Sequence, residues 1–364
     1  MLIASLFQPL IVRAQSDNQL DGVSQLEIYS IYDDNFQLLF QKDLVEIGDG
    51  YMSEDFKYYE VVYIDKDNMT GIAKFVRHVN KPNVDISHFP KPISIKDRRI
   101  CLYMTHNDES YVPSDGVDSV YGNGGIKDVA LALKKELENN FIDVYFDDTL
   151  HIPHDYNAYT RSKTTANNLY NEYKPDAIFD IHRDATSRKF YVADVNGKER
   201  GRVRIVLGKS NPYLAVNEEF AMYIVAVANE LYPWLITDIY YGGGHYNQSI
   251  SGKALLFEMG TYLIEKELMI DSMKELSDVI TTALYNTTVN ENSGELTING
   301  VEDKENVVVN DLIEEKSNKS ISVVAICVVI VIMASISLSA IYVFVSNIKK
   351  QKQILMENKN LKDK

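Results

Sequence analysis

The chain has 364 residues, of which 45% are hydrophobic and 24% are charged. This composition is ordinary for a globular protein with a sizeable core, and it excludes a chain that is mainly disordered. The formal net charge is −15. Such an acidic surface repels the phosphates of nucleic acids, so we predict no nucleic-acid partner.

The first 16 residues, MLIASLFQPLIVRAQS, are mostly apolar. Val12 and Ala14 supply the apolar and small residues that signal peptidase requires before a cleavage site. The basic segment that normally precedes the apolar run is missing. We therefore interpret residues 1–16 as a truncated signal peptide or as an apolar leader that stays attached.

Residues 17–97 contain short runs in which apolar and polar residues alternate, such as QLEIYSIY and YYEVVYID, with Asp, Asn and Gly between them. Alternation with a period of two is typical of strands that bury one face. We predict a small β-rich domain here, without a cluster of catalytic residues.

Residues 98–286 alternate between strand patterns and helix patterns. The segments RICLYMTH, IDVYF, DAIFDIH, RVRIVLG and KALLFEMG are typical of strands, and KDVALALKKELEN and YLAVNEEFAMYIVAVANELY are typical of helices. Strands that alternate with helices favour a parallel sheet with right-handed crossovers. The predicted fold class is therefore α/β: a largely parallel, twisted sheet flanked by helices and preceded by the small β-rich domain.

Three segments of different character follow. Residues 287–320 are polar and acidic, and we predict a linker. Residues 321–345 contain no charge; as a helix they measure about 37 Å, enough to cross a hydrocarbon core of about 30 Å. Residues 346–364 carry six Lys against one Glu and one Asp, and the positive-inside rule puts this tail in the cytoplasm. We predict a C-terminal transmembrane helix with the acidic body outside the cell membrane.

Ionisable residues lie at the ends of three predicted strands. The strand in DAIFDIHRDA reaches His182, ICLYMTHNDES delivers His106 and Glu109, and KALLFEMGT delivers Glu258. In an open α/β sheet, ligands bind off the carboxyl ends of the strands. Two His and one carboxylate are the ligand set of a catalytic zinc ion, to which a further Glu adds a general base. The sequence therefore predicts a zinc site at this edge of the sheet.

These residues also have simpler interpretations. A single histidine at a strand end is commonly a surface residue, and for Glu109 the alternative is a solvated loop residue. Glu258 is harder to explain in this way, because a bare carboxylate within the apolar run ALLFEMG costs several kcal/mol. Arg183 and Asp184 follow His182 directly, where they either orient its ring, contact a ligand or form a simple ion pair.

The cysteines and two further histidines add no second metal site. Cys101 opens an apolar strand and Cys327 lies in the predicted membrane span. They therefore form neither a disulfide framework nor a thiolate site. His151 and His154, in the segment LHIPHDYNAY, are predicted to order a loop or to line the cleft, and direct metal ligation by His154 is the alternative.

Four separated motifs follow one another between residues 100 and 285: YMTHNDESYVPS, LHIPHDYNAYTRSKTT, IFDIHRDA and YNQSISGKALLFEMGTYLIEKEL. They resemble the stage II sporulation protein P family, zinc-dependent cell-wall amidases related to the broader N-acetylmuramoyl-L-alanine amidase superfamily. The resemblance implies that His106, Glu109 and His182 are zinc ligands and that Glu258 is the catalytic acid/base. In the broader superfamily the carboxylate ligand is a Glu that opens the first helix; this chain has Ile126 there, so the role passes to Glu109.

The resemblance also implies an activity and a setting. The enzyme would cleave the amide between N-acetylmuramic acid and L-alanine in peptidoglycan during septal wall remodelling and engulfment in sporulation, and members also cut peptide cross-links. Its catalytic domain would lie in the septal intermembrane space, with stage II sporulation proteins D and M as partners. Arg183, Asp184 and Asn247 are predicted to contact the substrate.

Two other functions remain compatible with the sequence. A metal-free protein with the same cleft would bind peptidoglycan without cutting it, but this predicts loss of at least one of His106, His182 and Glu258, and all three are present. A septal scaffold protein would use the β-rich domain and the linker to recruit partners. That function explains the membrane span but leaves the strand-end residues unexplained.

Overall fold

The computed structural model describes residues 28–84, 86, 97–155 and 157–285, and two short strands at 287–289 and 296–298. The predicted leader, membrane span and basic tail lie outside these residues. Within the described part, no helix combines the length and the hydrophobicity needed to cross a membrane.

The strands of the described residues are β1 (Tyr29–Tyr32), β2 (Leu38–Lys42), β3 (Gly50–Ser53), β4 (Lys57–Asp65), β5 (Thr70–His78), β6 (Arg99–Tyr103), β7 (Asp143–Asp147), β8 (Ala177–Asp184), β9 (Val192–Val195), β10 (Lys198–Gly201), β11 (Val203–Gly208), β12 (Ile236–Gly242), β13 (Ala254–Thr261), β14 (Thr287–Val289) and β15 (Leu296–Ile298). The helices are α1 (Val112–Asp115), α2 (Ile126–Asn139), α3 (Ala158–Tyr173), α4 (Leu214–Leu231) and α5 (Lys266–Tyr285). Within the predicted linker, β14 and β15 pair antiparallel.

The main sheet has the strand order β2-β1-β5-β4-β3-β12-β11-β13-β8-β6-β7. The predicted α/β class is confirmed, and β6, β7, β8 and β13 run parallel. β11 and β12 are also parallel to each other, so the part of the sheet formed by residues 98–286 is largely parallel, as predicted. The exception is that β11 runs antiparallel to β13, and the antiparallel N-terminal strands make the complete sheet mixed. The connection from β8 to β11 contains the β9–β10 hairpin and no long helix to return the chain across the sheet. As a result, the chain enters β11 at the edge of the sheet where β8 ends, and β11 runs back in the opposite direction to β8.

The N-terminal strands extend this sheet instead of forming a separate one. β3 pairs antiparallel with β12, which puts Tyr51 opposite Tyr240. Both rings are buried with Phe40, which stacks on Tyr51 at 4.9 Å and meets Tyr240 edge-on at 5.7 Å between ring centroids. Burial of these three aromatic rings favours the joined sheet. It also brings the end of β2 close to the end of β8, where Lys42 pairs with Asp184 at 2.8 Å.

The central strands are covered by helices on both faces. On one face, Phe179 and Phe257 belong to a core shared with α2, α4 and α5. On the other face, Ile178 packs with residues of α3. Successive side chains of a strand point to opposite faces. His182 and Glu258 therefore lie on the same face as Ile178, the α3 face.

Helix α2 shows how the sequence specifies these layers. Its buried residues are Ile126, Val129, Ala130, Leu133 and Leu137. Their spacing of three or four residues gives one apolar stripe, which packs on the sheet while the polar face remains in solvent. Ile126 is the first residue of this helix.

Cys101 provides a test of the buried core. Its side chain is fully buried, and burial raises the pKa of the thiol to about 12. Thiol reagents attack the thiolate, which is therefore scarce in the folded protein at about pH 8. We expect no reaction of Ellman's reagent with the folded Cys327→Ser chain, and reaction of Cys101 after unfolding in urea. Rapid labelling of the folded chain would contradict this position of Cys101.

Candidate metal centre and active site

The carboxyl ends of β6, β8 and β13 meet at one edge of the sheet. His182 in β8 lies opposite Glu258 in β13 in the strand register. His106 and Glu109 lie in the loop that follows β6. β6 pairs with β8 on the side of β8 that faces away from β13. Because the three strands are parallel, their ends bring these four residues into one region.

His106, Glu109 and His182 form a compact group of potential metal ligands. Glu109 Oε1 lies 3.2 Å from His106 Nδ1 and 3.5 Å from His182 Nδ1. The potential ligand atoms of the three residues all lie within 4.8 Å of one another. The second oxygen of Glu109 accepts a hydrogen bond from the backbone N–H of Arg183 at 2.9 Å, which fixes the carboxylate. Two imidazoles and one carboxylate that converge in this way fit a zinc-type divalent ion.

Asp180 supports the ring of His182 from its other side. His182 Nε2 lies 3.0 Å from Asp180 Oδ1, although the angle is not that of a hydrogen bond. Thr105 fixes Asp180 by donating its backbone N–H to Oδ1 at 2.8 Å and its hydroxyl to Oδ2 at 2.6 Å. A carboxylate behind a histidine is a common way to orient a metal ligand. The sequence pattern alone did not single out Asp180, although it precedes His182 by two residues on the same face of β8.

Neighbouring charges shift the pKa values of these groups. Burial raises the pKa of Glu109, but the charge of His182 and a hydrogen bond from His106 hold it well below its usual value. Burial lowers the pKa of His182, whereas the charges of Asp180 and Glu109 outweigh this effect and raise it well above its usual value. Burial also lowers the pKa of His106. Glu109 is therefore ionised at neutral pH, whereas His182 holds a proton that it must release before it can bind a metal ion.

Glu258 is buried in the same region with one oxygen unpaired. Its Oε1 lies 3.5 Å from Lys42 Nζ. Its Oε2 is buried and has no hydrogen-bond partner among the residues that the structure describes. Burial raises the pKa of Glu258 to about 7, a shift that the charge of Lys42 opposes and the charge of Asp184 assists. A carboxyl group with a pKa near neutrality is suited to take up and release protons.

Arg183 and Asn247, two of the predicted substrate contacts, bind to other parts of the protein. The guanidinium of Arg183 donates to the backbone carbonyls of Ser110 at 3.1 Å and Asp118 at 2.7 Å. These bonds tie the loop after β6 to β8. Asn247 Nδ2 donates to Ser162 Oγ in α3 at 3.0 Å. Both side chains thus shape the cleft, and direct contact with a substrate stays a prediction.

Asp184, the third predicted substrate contact, lies in a buried network of charges. Its carboxylate accepts hydrogen bonds from Lys42 at 2.8 Å, Tyr191 at 2.8 Å and Arg204 at 2.6 Å. Arg204 is fully buried and also donates to Asp238, at 2.6 Å and 3.0 Å. Neither Lys42 nor Arg204 was singled out by the sequence pattern. A substrate contact by Asp184 stays a prediction.

The two histidines of the loop after β7 have different surroundings. The ring of His154 stacks on His106 with centroids 3.8 Å apart, and its Nδ1 lies 3.0 Å from Asp108 Oδ1. Burial lowers the pKa of His154, and the hydrogen bond with Asp108 outweighs this effect and raises it. The buried His151 donates from Nδ1 to the carbonyl of Met104 at 2.7 Å. His154 therefore lies beside the potential ligands, while His151 fixes the loop.

A model of the family described as stage II sporulation protein P matches residues 54–281, which is more than half of the chain. The chain belongs to this family. A relative from Bacillus subtilis (strain 168), also described as stage II sporulation protein P, is 29% identical over 197 residues, which are 47% of this chain and 47% of the relative. The chain thus spans about half the length of the curated relative that it matches.

Two solved structures share some similarity with this member of the stage II sporulation protein P family. The CwlD amidase from Clostridioides difficile, in complex with the GerS lipoprotein, has a TM-score of 0.33 and 11% identity, covering 51% of this chain and 94% of that chain. An N-acetylmuramoyl-L-alanine amidase of Nostoc punctiforme has a TM-score of 0.32 and 12% identity, covering 52% of this chain and 95% of that chain. TM-scores this low support no argument about function. A proposal of function has to rest on the family match and on the geometry of the site.

Proposed function

We propose that this chain is a zinc-dependent peptidoglycan hydrolase that cleaves the amide between N-acetylmuramic acid and L-alanine. The observation that carries the proposal is the convergence of His106, Glu109 and His182, with the buried carboxylate of Glu258 opposite His182 in the sheet. A metal site next to a carboxyl group of raised pKa is typical of hydrolases that use water as the nucleophile. Membership of the stage II sporulation protein P family supports the choice of a cell-wall substrate.

The proposed zinc ligands are His106, Glu109 and His182. A zinc ion bound there would act as a Lewis acid on the amide carbonyl and lower the pKa of a water molecule to about 7. Independently of the ion, the N–H of Arg183 fixes Glu109, and the carboxylate of Asp180 lies 3.0 Å from Nε2 of His182. Such support keeps the ligand atoms in the geometry that the reaction needs.

Glu258 would move the proton. Its Oε2 is buried without a protein partner within the described part of the chain, and in the proposed mechanism this oxygen takes a proton from the attacking water. Glu258 would then return the proton to the nitrogen of the leaving amine. Its pKa of about 7 suits both transfers, because neither protonation state is strongly favoured at neutral pH.

The biological setting that we propose follows from the family. The reaction would remodel the septal cell wall during sporulation and engulfment. The catalytic domain would lie outside the cytoplasm, in the septal intermembrane space, held by the predicted span at 321–345. Stage II sporulation proteins D and M are the proposed partners, and cleavage of peptide cross-links is a proposed second activity.

Substitution of a proposed ligand tests the metal centre. We expect His182→Ala to weaken zinc binding at least about 10²-fold, because it removes one of the three proposed ligands. Loss of a residue that only supports a metal ligand already lowers metal affinity by about 10- to 100-fold. The measurement is zinc affinity of the full-length chain in mild detergent, by competition with a chelating dye. His78→Ala, at the exposed end of β5, is the control and should bind zinc like the wild type. Unchanged affinity in His182→Ala would contradict the proposed ligand set.

Digestion of sacculi tests the activity itself. The full-length chain, loaded with zinc, should release soluble material from purified peptidoglycan sacculi. A chelator should stop the release, and added zinc should restore it. If the protein co-sediments with sacculi but releases nothing, the result would instead support a catalytically silent binding protein.

A further inference from the structure

Lys42 reaches the candidate active site from the N-terminal part of the sheet. It ends β2, and its Nζ lies 2.8 Å from Asp184 Oδ1 and 3.5 Å from Glu258 Oε1. Its side chain is only 13% exposed. The residue lies outside the segment 54–281 that the family model matches. Seven strands separate β2 from β8 in the order of the sheet, and the contact arises because β2 packs back on the central strands, where Phe40 shares a core with Val206 and Leu256.

The surroundings of Lys42 stabilise its positive charge. Asp184 lies between Lys42 and Arg204, and Arg204 pairs with Asp238 at 2.6 Å. Negative and positive side chains therefore alternate in the order Glu258, Lys42, Asp184, Arg204 and Asp238. Each buried ion thus has a neighbour of opposite charge. Burial lowers the pKa of Lys42, but the surrounding carboxylates, Asp184 first, outweigh this effect and raise it well above its usual value.

We propose that Lys42 is a positioning residue for Glu258, which it holds by one carboxylate oxygen so that the other oxygen is free for proton transfer. The surroundings of the two carboxylate oxygens of Glu258 fit this role. Oε1 lies 3.5 Å from the ammonium group of Lys42, and Oε2 is buried without a protein partner in the described residues. An ion pair to one oxygen restricts rotation of the carboxylate, which keeps the base in line with its target. This role rests on the proposed function, because it assumes that Glu258 transfers the proton.

A purely structural role is the alternative, because the same contact joins β2 to β8. Lys209 offers a matched control. Its Nζ lies 2.8 Å from Asp49 Oδ1, in the loop before β3, so this ion pair also links the N-terminal strands to the rest of the sheet. Lys209 follows the last residue of β11, at the opposite end of that strand from Arg204. Substitution of Lys209 therefore tests the loss of such a link without removing a partner of Glu258.

The experiment measures the hydrolysis of soluble glycan strands that carry stem peptides, by full-length chains in mild detergent with zinc. We expect Lys42→Met to lower kcat about 10²-fold with little change in KM, because a misplaced base slows the chemical step without weakening binding. Lys42→Arg keeps the charge and should recover most of this loss, and Lys209→Met should retain the kcat of the wild type. Zinc affinity should be equal in all variants, because neither lysine pairs with a proposed ligand.

The outcomes separate the inference from the proposed function. A wild type without hydrolytic activity overturns the proposed function and this role with it. An active wild type together with a Lys42→Met kcat within about threefold of it overturns the inference alone. The inference is also overturned if Lys209→Met loses as much kcat as Lys42→Met, since the loss then follows from the missing link. If thermal unfolding shows that Lys42→Met does not fold, Lys42→Gln takes its place with the same expectation.

Discussion

Glu258→Gln is expected to lower the rate of peptidoglycan hydrolysis about 10³-fold while leaving the fold and the zinc affinity unchanged. Glutamine has nearly the shape of glutamate, but it cannot accept a proton from the attacking water. The substitution also removes a buried charge whose Oε2 has no partner within the described residues. Lys42 loses one partner but keeps its ion pair with Asp184 at 2.8 Å, so we expect only a small loss of stability. The measurement is the initial rate on sacculi, together with zinc affinity and the thermal midpoint.

A matched control for this substitution is Glu275→Gln. Glu275 is also a buried glutamate, but it lies in α5 and pairs with Arg200 at 3.0 Å. We expect this variant to retain the hydrolytic rate of the wild type. Two results would contradict the proposed role of Glu258: a Glu258→Gln rate within about tenfold of the wild type, or an equal loss in Glu275→Gln.

Arg204→Met is expected to destabilise the folded chain by about 3–5 kcal/mol. The guanidinium is fully buried and joins Asp184 and Asp238, each at 2.6 Å from one of its nitrogens. Methionine fills much of the space but leaves both carboxylates buried. Asp184 would then keep only its ion pair with Lys42, and Asp238 would have no ion pair among the described residues. The cost is therefore the uncompensated burial of charge, which is much larger than the loss of a surface ion pair.

Urea unfolding of the full-length chain, followed by tryptophan fluorescence, measures this loss. Arg188→Met is the control, because Arg188 is 45% exposed and its contacts with Glu199 and Glu265 are 3.7 Å and 3.4 Å long. We expect the control to lose less than about 1 kcal/mol. If Arg204→Met lost no more stability than the control, the burial of Asp184 and Asp238 would not depend on the charge of Arg204. That result would contradict the proposed charge network.

The parts of the fold that follow from local pattern were predictable. Apolar runs of four to eight residues predicted β6, β8 and β13, and the spacing of apolar residues predicted α2 and α4. The family named from four sequence motifs is confirmed by the family match. His106, Glu109 and His182 were singled out because ligand residues at the ends of parallel strands meet at one edge. Their roles, and that of Glu258, stay predictions.

Features that depend on strand order were not predictable. The antiparallel direction of β11 follows from the hairpin between β8 and β11, whose strands pair with each other and with no other described strand. The pairing of β3 with β12 joins segments almost two hundred positions apart, and no local pattern encodes it. Lys42 follows an apolar run in the way that many surface lysines do, and only the packing of β2 on the central strands brings it to Asp184. Arg204 likewise looks like a polar residue on the exposed face of a strand, but β2 packs against it and Gln41 accepts a hydrogen bond from its guanidinium at 3.2 Å.

The most direct test of the proposed function is the mass and the N-terminal residue of the peptides that the zinc-loaded, full-length chain releases from sacculi. A metal-dependent amidase at the site of His106, Glu109, His182 and Glu258 predicts intact stem peptides that begin with L-alanine, and none after chelation of the metal or in Glu258→Gln. Peptides cut only within the cross-links, or release that persists in Glu258→Gln, would contradict the proposed amidase mechanism.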